Sequence, residues 1–146
     1  MNTTTVPSKI HLGIYGICVQ DGKVLMIRKG RGPYKGLLDL PGGKMEPGET
    51  FAEALRREFD EETGAIVLNQ TPVCASEYQC QWTSEGEGKA FHHVALYTTV
   101  ELDATNLKHG PDGHDSEGAQ WMTTPLLANS VAPIAHDVLR SLDLLI

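Results

Sequence analysis

Residues 43–65 read GKMEPGETFAEALRREFDEETGA, and the spacing of charge within them decides how the rest of the chain is read. Glu58, Glu61 and Glu62 fall at i, i+3 and i+4, which is one face of a helix. Carboxylates that close repel one another, and a cation among them removes that cost. Clustered hard oxygen ligands suit Mg2+ or Mn2+. The stretch therefore has the character of a metal platform, the kind of site that serves phosphate chemistry. A solvated acidic helix would explain the glutamates, but not Gly43 and Gly64 at matching distances on either side of them.

The helix is expected over residues 50–63, with Gly64 as its stop. Phe51, Ala52, Leu55 and Phe59 form an apolar stripe that would pack on a sheet. Glu58 and Glu62 border that stripe and Glu61 lies beyond them, at the edge of the buried face. Upstream, residues 9–20 are apolar and β-branched and read as one strand. Asp21-Gly22 marks a hairpin turn, and residues 23–28 read as the return strand. Residues 29–36 form a loop, and the short apolar run 37–40 leads into Pro41-Gly42-Gly43. Downstream, strands are expected over 73–83 and 90–102, joined by the polar loop 84–88. A long loop, 103–118, precedes a short strand at 119–123. Thr124-Pro125 has the form of an N-cap followed by a first-turn proline, and 131–145 reads as a final helix. Strands with helices before and after them predict an α/β fold with a mixed sheet covered on both faces.

These residues resemble the Nudix box, G-x5-E-x7-R-E-U-x-E-E-x-G-U with U apolar. Gly43, Glu49, Arg57, Glu58, Glu61, Glu62 and Gly64 fill the fixed positions, and Phe59 and Ala65 the apolar ones. At roughly 6–7% abundance per residue type, chance would fill them in about one chain per million. The resemblance implies the Nudix α/β/α sandwich as a single domain over 1–146. It also implies metal-dependent hydrolysis of a nucleoside diphosphate linked to another group. Glu58, Glu61, Glu62 and the carbonyl of Gly43 would hold Mg2+ or Mn2+, and Arg57 would pair with Glu49 to brace the loop. Glu117, from a later loop, and Glu58 are the two candidates for the base. Arg28 stands where triphosphate-cleaving members carry a phosphate-contacting arginine, and Lys44, beside the glycine pair, can reach a phosphate.

Subfamily markers for other substrates do not fall into place. Pro72 comes too early for the proline of the ADP-ribose type, and Tyr78 falls short of the tyrosine of the dinucleoside-polyphosphate type. With Arg28 and Lys44 in position, the chain resembles the MutT-like type, which converts a (d)NTP or an oxidised dNTP to the monophosphate and pyrophosphate. ADP-ribose or another nucleoside diphosphate derivative is the alternative. A nucleotide-sensing Nudix-fold binding domain is the alternative outside enzymes, although such domains often lose the glutamates. Arg31 and Lys35 read as ordinary surface charge, and Tyr34, Tyr78, Trp82 and Phe91 mostly as core packing.

The net charge of −7 over 146 residues argues against a nucleic-acid partner, which would call for a basic face. Cys18, Cys74 and Cys80 are odd in number and lack a metal-ligand spacing, so they read as reduced, mostly buried thiols of a cytoplasmic protein. With His92 and His93, Cys74 and Cys80 could be imagined as a zinc site, but their spacing gives no support. No leader-like apolar segment or membrane-crossing stretch is evident, so no membrane partner is expected. The resemblance makes a homodimer the expected oligomer, if the chain assembles at all.

Overall fold

The computed structural model describes residues 6–7, 9–111, 113 and 116–146. Helix α1 spans Phe51–Thr63 and is N-capped by Thr50. The Thr50 hydroxyl accepts from the Glu53 N–H at 3.2 Å and donates to the Glu53 carboxylate at 3.0 Å. Gly64 ends the helix in the left-handed conformation, its N–H donating to the carbonyls of Asp60 and Phe59. The buried face carries Ala54, Leu55 and Phe59 rather than the expected Phe51, which is 53% exposed. Helical side chains tilt toward the N-terminus, so the ring of a first-turn residue overhangs the end of the packed face.

Two sheets meet behind this helix. In the first, the order is β5 (Gly42–Lys44), β1 (His11–Ile17), β7 (Glu87–Asp103) and β6 (Ile66–Ser84). The β1–β7 pair is parallel and the others antiparallel, so the sheet is mixed. In the second, β3 (Lys23–Lys29) pairs with β8 (Ser116–Thr123), β2 (Val19–Gln20) and β4 (Leu38–Asp39). The single strand expected over 9–20 is thus divided at Cys18 between two sheets. A continuous apolar run shows that both faces are buried; it does not show where the pairing partner changes. Only β2 forms the hairpin at Asp21-Gly22, both of which have positive φ as the tight two-residue turn requires.

The β6–β7 hairpin is longer than the sequence suggests, and its loop shrinks to a turn at Glu85-Gly86. Strand β6 bulges between Val67 and Asn69 and again between Pro72 and Cys74. The second bulge accommodates a proline that has no N–H for the ladder. Cys18 is buried, but Cys74 is exposed on this strand and Cys80 half-buried, contrary to the expectation of mostly buried thiols.

The C-terminal region departs furthest from expectation. No helix begins at Thr124-Pro125, which is a cis peptide; the Thr124 hydroxyl and N–H both donate to the Gly22 carbonyl and extend the β3–β8 edge. Instead of a helix over 131–145, short 3-10 turns at Ala128–Ser130 and Pro133–Ala135 precede α2, His136–Ser141. Pro133 cannot donate within a helix and restricts the residue before it, so regular helix starts only beyond it.

Two clusters form the core. Ile14, Leu25 and Ile27 face α1 with Ala54, Leu55 and Phe59. Tyr15, Ile17, Val24 and Met26 face the opposite way, with Ile134, Val138 and Leu139. This period-two division, with apolar residues on both faces, is the α/β/α layering read from the sequence.

Candidate active site

Strand β5 brings Pro41-Gly42-Gly43 against β1 and the carboxylate face of α1. Gly42 has φ 146°, and a Cβ there would strike the Ile14 carbonyl oxygen. Its N–H donates to Glu62 Oε1 at 2.8 Å, and Glu62 is only 3% exposed. A Cβ on Gly43 would lie 2.5–2.8 Å from the Glu58 carboxyl group. The glycine pair therefore lets bare backbone touch two of the three box glutamates.

Arg57 holds this corner together. Its Nε and Nη2 donate to the two Glu49 oxygens at 2.7 and 2.8 Å, a bidentate fork. Nη2 also donates to the Lys44 carbonyl at 3.0 Å and Nη1 to Glu58 Oε1 at 2.8 Å. Glu61 is more distant, 3.7 Å from Nη1, so the simple helical ion pair is the weakest of these contacts. Arg57 and the Glu46 N–H hold the Glu49 carboxyl down at about 2.

Above this corner lies a cleft of about 1120 Å³. Gly43, Lys44, Glu58, Glu61 and Glu62 line one end, together with Arg57. Among the described residues, no three His, Cys, Asp or Glu side chains converge into a closed metal cage. The donors here are instead open, hard and oxygen-based. That fits Mg2+, which keeps several waters and takes few protein carboxylates alongside substrate phosphates.

Two of the expected site residues lie elsewhere. Arg28 does not line the cleft; its Nη1 donates to the Gly36 carbonyl at 2.9 Å. Its neighbour Lys29 lines the cleft instead, together with Arg31 and Lys35, which had read as plain surface charge. The β3–β8 register shifts between Ile27 and Lys29, and such a bulge re-aims side chains. Glu117 likewise stays outside the cleft, its carboxyl lying over Gly30.

The far wall is aromatic and largely neutral. Tyr34, Trp82 and Phe91 line it, although Tyr34 also belongs to the core; Tyr78 packs behind it. Two of its polar residues, Tyr15 and Asp39, were not singled out from sequence, and His93 only as an imagined zinc ligand. The Tyr15 hydroxyl lies 2.7 Å from His93 Nε2 and the Tyr34 hydroxyl 3.1 Å from Nδ1. Burial, with positive charge on His11 and Lys29, depresses His93 to about 3. A neutral imidazole has one donor and one acceptor nitrogen, so one tyrosine donates to it and the other accepts. Both nitrogens are thereby engaged, while Cys74 and Cys80 lie on the edge strand β6. Asp39 is 2% exposed and lines the cleft floor. Burial pushes its carboxyl up to about 6, against the opposing effects of Lys29 and the Leu40 N–H. A lone acid in the apolar run Leu37-Leu38-Asp39-Leu40 was the available signal.

A mixed-sheet sandwich with a glycine strand laid on a helix of glutamates defines the fold class. A family model described as the NUDIX domain matches residues 8–142, and the chain belongs to the Nudix family. It is 30% identical over 129 residues to an ADP-ribose pyrophosphatase of Methanocaldococcus jannaschii, covering 88% of this chain and 73% of that protein. It is 33% identical over 125 residues to the 8-oxo-dGDP phosphatase NUDT18 of Mus musculus, covering 86% of this chain but only 35% of that protein. A MutT NUDIX hydrolase from Burkholderia pseudomallei has the same fold, with TM-score 0.73 at 24% identity over 91% of this chain and 98% of that one. No helix among the described residues is long and apolar enough to cross a membrane.

Proposed function

We propose that this chain hydrolyses the diphosphate of a nucleoside diphosphate linked to a further group, using Mg2+ or Mn2+. The observation that carries the reading is bare Gly42-Gly43 backbone seated on Glu58 and Glu62, with Arg57 and Glu49 bracing it beneath an open cleft.

A diphosphate resists water because its negative charge repels the nucleophile. A bound divalent metal would neutralise that charge and make the attacking water more acidic. Glu58, Glu61, Glu62 and the Gly43 carbonyl would hold it. Lys44 would steady a phosphate oxygen, and Lys29, Arg31 and Lys35 add positive charge along the rim. Water oxygen bonds to one phosphorus, the bridging P–O bond breaks, and the departing phosphate carries the electron pair away. Of the two candidate bases, Glu58 lines the cleft and Glu117 does not, so Glu58 receives the water proton in this reading. The products are a nucleoside monophosphate and a phosphorylated second group, or pyrophosphate if the substrate is a triphosphate.

The (d)NTP reading leaned on Arg28 and Lys44, and of the two only Lys44 lines the cleft. That leaves room for the wider class, which includes ADP-ribose and 8-oxo-dGDP, the compounds named for the relatives. A hydrolysis screen tests the reading. Protein with Mg2+ or Mn2+ is given dNTPs, oxidised dGTP and dGDP, ADP-ribose, dinucleoside polyphosphates and nucleotide sugars, with Glu61→Gln as control. Turnover of one class that is lost in Glu61→Gln is expected. Tight nucleotide binding with no turnover of any substrate would instead make this a sensing domain.

A further inference from the structure

Helix α1 gathers its charge at the unfavourable end. Asp60, Glu61 and Glu62 crowd its last turn, and no basic residue of the helix stands there to meet them. The C-terminus of a helix is already negative, because its last carbonyls have no partner within the helix. Arg57, one turn upstream, reaches Glu58 at 2.8 Å but Glu61 only at 3.7 Å.

The missing cation comes from the chain after β7. Lys108 donates from Nζ to the Asp60 carbonyl at 3.0 Å, and from its backbone N–H to the Thr63 carbonyl at 2.7 Å. A Cβ on Gly64 would collide with the Asn106 carbonyl oxygen and crowd the Lys108 stem. Gly64 therefore does more than end the helix: its bareness lets this segment lie against the helix end. The segment is fastened on its other side to β8. The Lys108 carbonyl accepts the Ala119 N–H at 3.1 Å, and His109 Nδ1 lies 3.1 Å from the Ala119 carbonyl oxygen. Leu107 packs against the core cluster that α1 and Ala119 share. Residues 106–109 thus form a strap between the end of α1 and β8.

The strap holds the part of the helix that Arg57 does not. Glu61 and Glu62 lie beyond Arg57, in a terminal turn, where helices open first. With Glu58 and Asp60 they place four like charges within little more than one turn, and their repulsion favours that opening whenever no cation lies among them.

We propose that Lys108 is a positioning residue: it keeps the last turn of α1, with Glu61 and Glu62, formed before a divalent ion arrives. This rests on the metal-platform reading of the same helix. A set of ligands that is ordered in only a third to a tenth of the molecules binds about 3- to 10-fold more weakly, because the ordered fraction divides the affinity. Lys108 acts through the Asp60 and Thr63 carbonyls.

The test is made without substrate, so that it does not depend on turnover. Mn2+ affinity is measured by calorimetry on the native protein, Lys108→Met and Lys108→Arg. Methionine keeps an apolar stem over Gly64 and removes the charge and the donor. Its Mn2+ dissociation constant should rise about 3- to 10-fold. Amide exchange at residues 61–64 of the metal-free protein should quicken by a similar factor, and saturating Mn2+ should bring it back to the native rate. Arginine keeps a cation and its donors, and should restore both readouts. Loss of positive charge alone would draw a cation in more tightly, so a dissociation constant that falls in Lys108→Met would overturn the proposal. A lower melting temperature with an unchanged constant would overturn it too, since a merely structural tie gives that result. Lys108→Gln is read in the same way if the Met variant does not fold. If the native protein binds no Mn2+, the metal reading falls, while quickened exchange at residues 61–64 still upholds the strap. Native Mn2+ binding with exchange and affinity indifferent to Lys108 does the reverse.

Discussion

At one end of the cleft, Glu49 is held down at about 2 by a guanidinium fork, with Glu58 on the same arginine. At the other end, Asp39 is pushed up to about 6 among tyrosine rings, with a single backbone N–H for company. The first end pairs Glu49 and Glu58 with Arg57 and seats Glu62 on the Gly42 N–H, using partners 1–20 residues away in sequence. The second holds His93 neutral and leaves Asp39, above about 6, a buried carboxylate with one backbone N–H donor. A phosphate with its metal suits the first environment, and an uncharged aromatic base suits the second.

The harshest way to break this comparison is to remove charge from the first end. Glu58→Gln and Glu62→Gln should each lower kcat by at least ~10²-fold. In Glu62→Gln the amide oxygen of the new side chain could still accept the Gly42 N–H, so the melting temperature should change little. Steady-state rates with melting curves check both statements. Near-normal turnover in these variants would remove the metal platform from the charged end.

The charged end was legible because it is local. Helix periodicity places Arg57 and the three glutamates with no knowledge of the sheet, while Gly43 and Glu49 lie before the helix and were matched by their spacing in the box. The capping residues Thr50 and Gly64 sit where the pattern put them. The neutral end draws Tyr15 from β1, Asp39 from β4, Tyr34 from a loop and His93 from β7, and only the β1–β7 register and the loop path unite them. Arg28 shows the same limit at one-residue scale: a bulge exchanged it for Lys29 at the cleft. Pro133 shows it in the C-terminal region, where an apolar period over 131–145 gives regular helix only from His136.

A smaller effect sharpens the comparison by testing geometry rather than charge. Arg57→Lys keeps the positive charge but cannot make the two-point contact with Glu49 while also reaching the Lys44 carbonyl. Activity should fall by about 10–100-fold, as for other groups that orient metal ligands. Stability should fall by about 1–2 kcal/mol. A lysine variant with full activity would mean that charge alone braces the loop.

The last test concerns stability and separates the two ends by pH. In the folded protein Asp39 holds its proton up to about 6, against an ordinary value of 3.8. Its favourable contribution is present in full below 3.8 and is lost as pH rises through 6. His93 opposes it: depressed to about 3 from 6.5, it contributes stability in full above 6.5 that is lost as pH falls toward 3. Between these limits the two partly cancel, and the native protein should show a shallow profile on mild acidification. Asp39→Asn removes one arm of that balance. The variant should exceed the native protein above pH 6 by something on the order of 2–3 kcal/mol, since an amide carries no buried charge. It should then lose stability more steeply on acidification, because His93 acts unopposed. Urea unfolding across this range measures both limbs, and superimposable profiles would show that Asp39 is not the strained acid of the neutral end. Glu49 enters only below 4.5, its ordinary value, where its contribution is lost as pH falls toward 2, so the charged end declares itself in a separate acid limb.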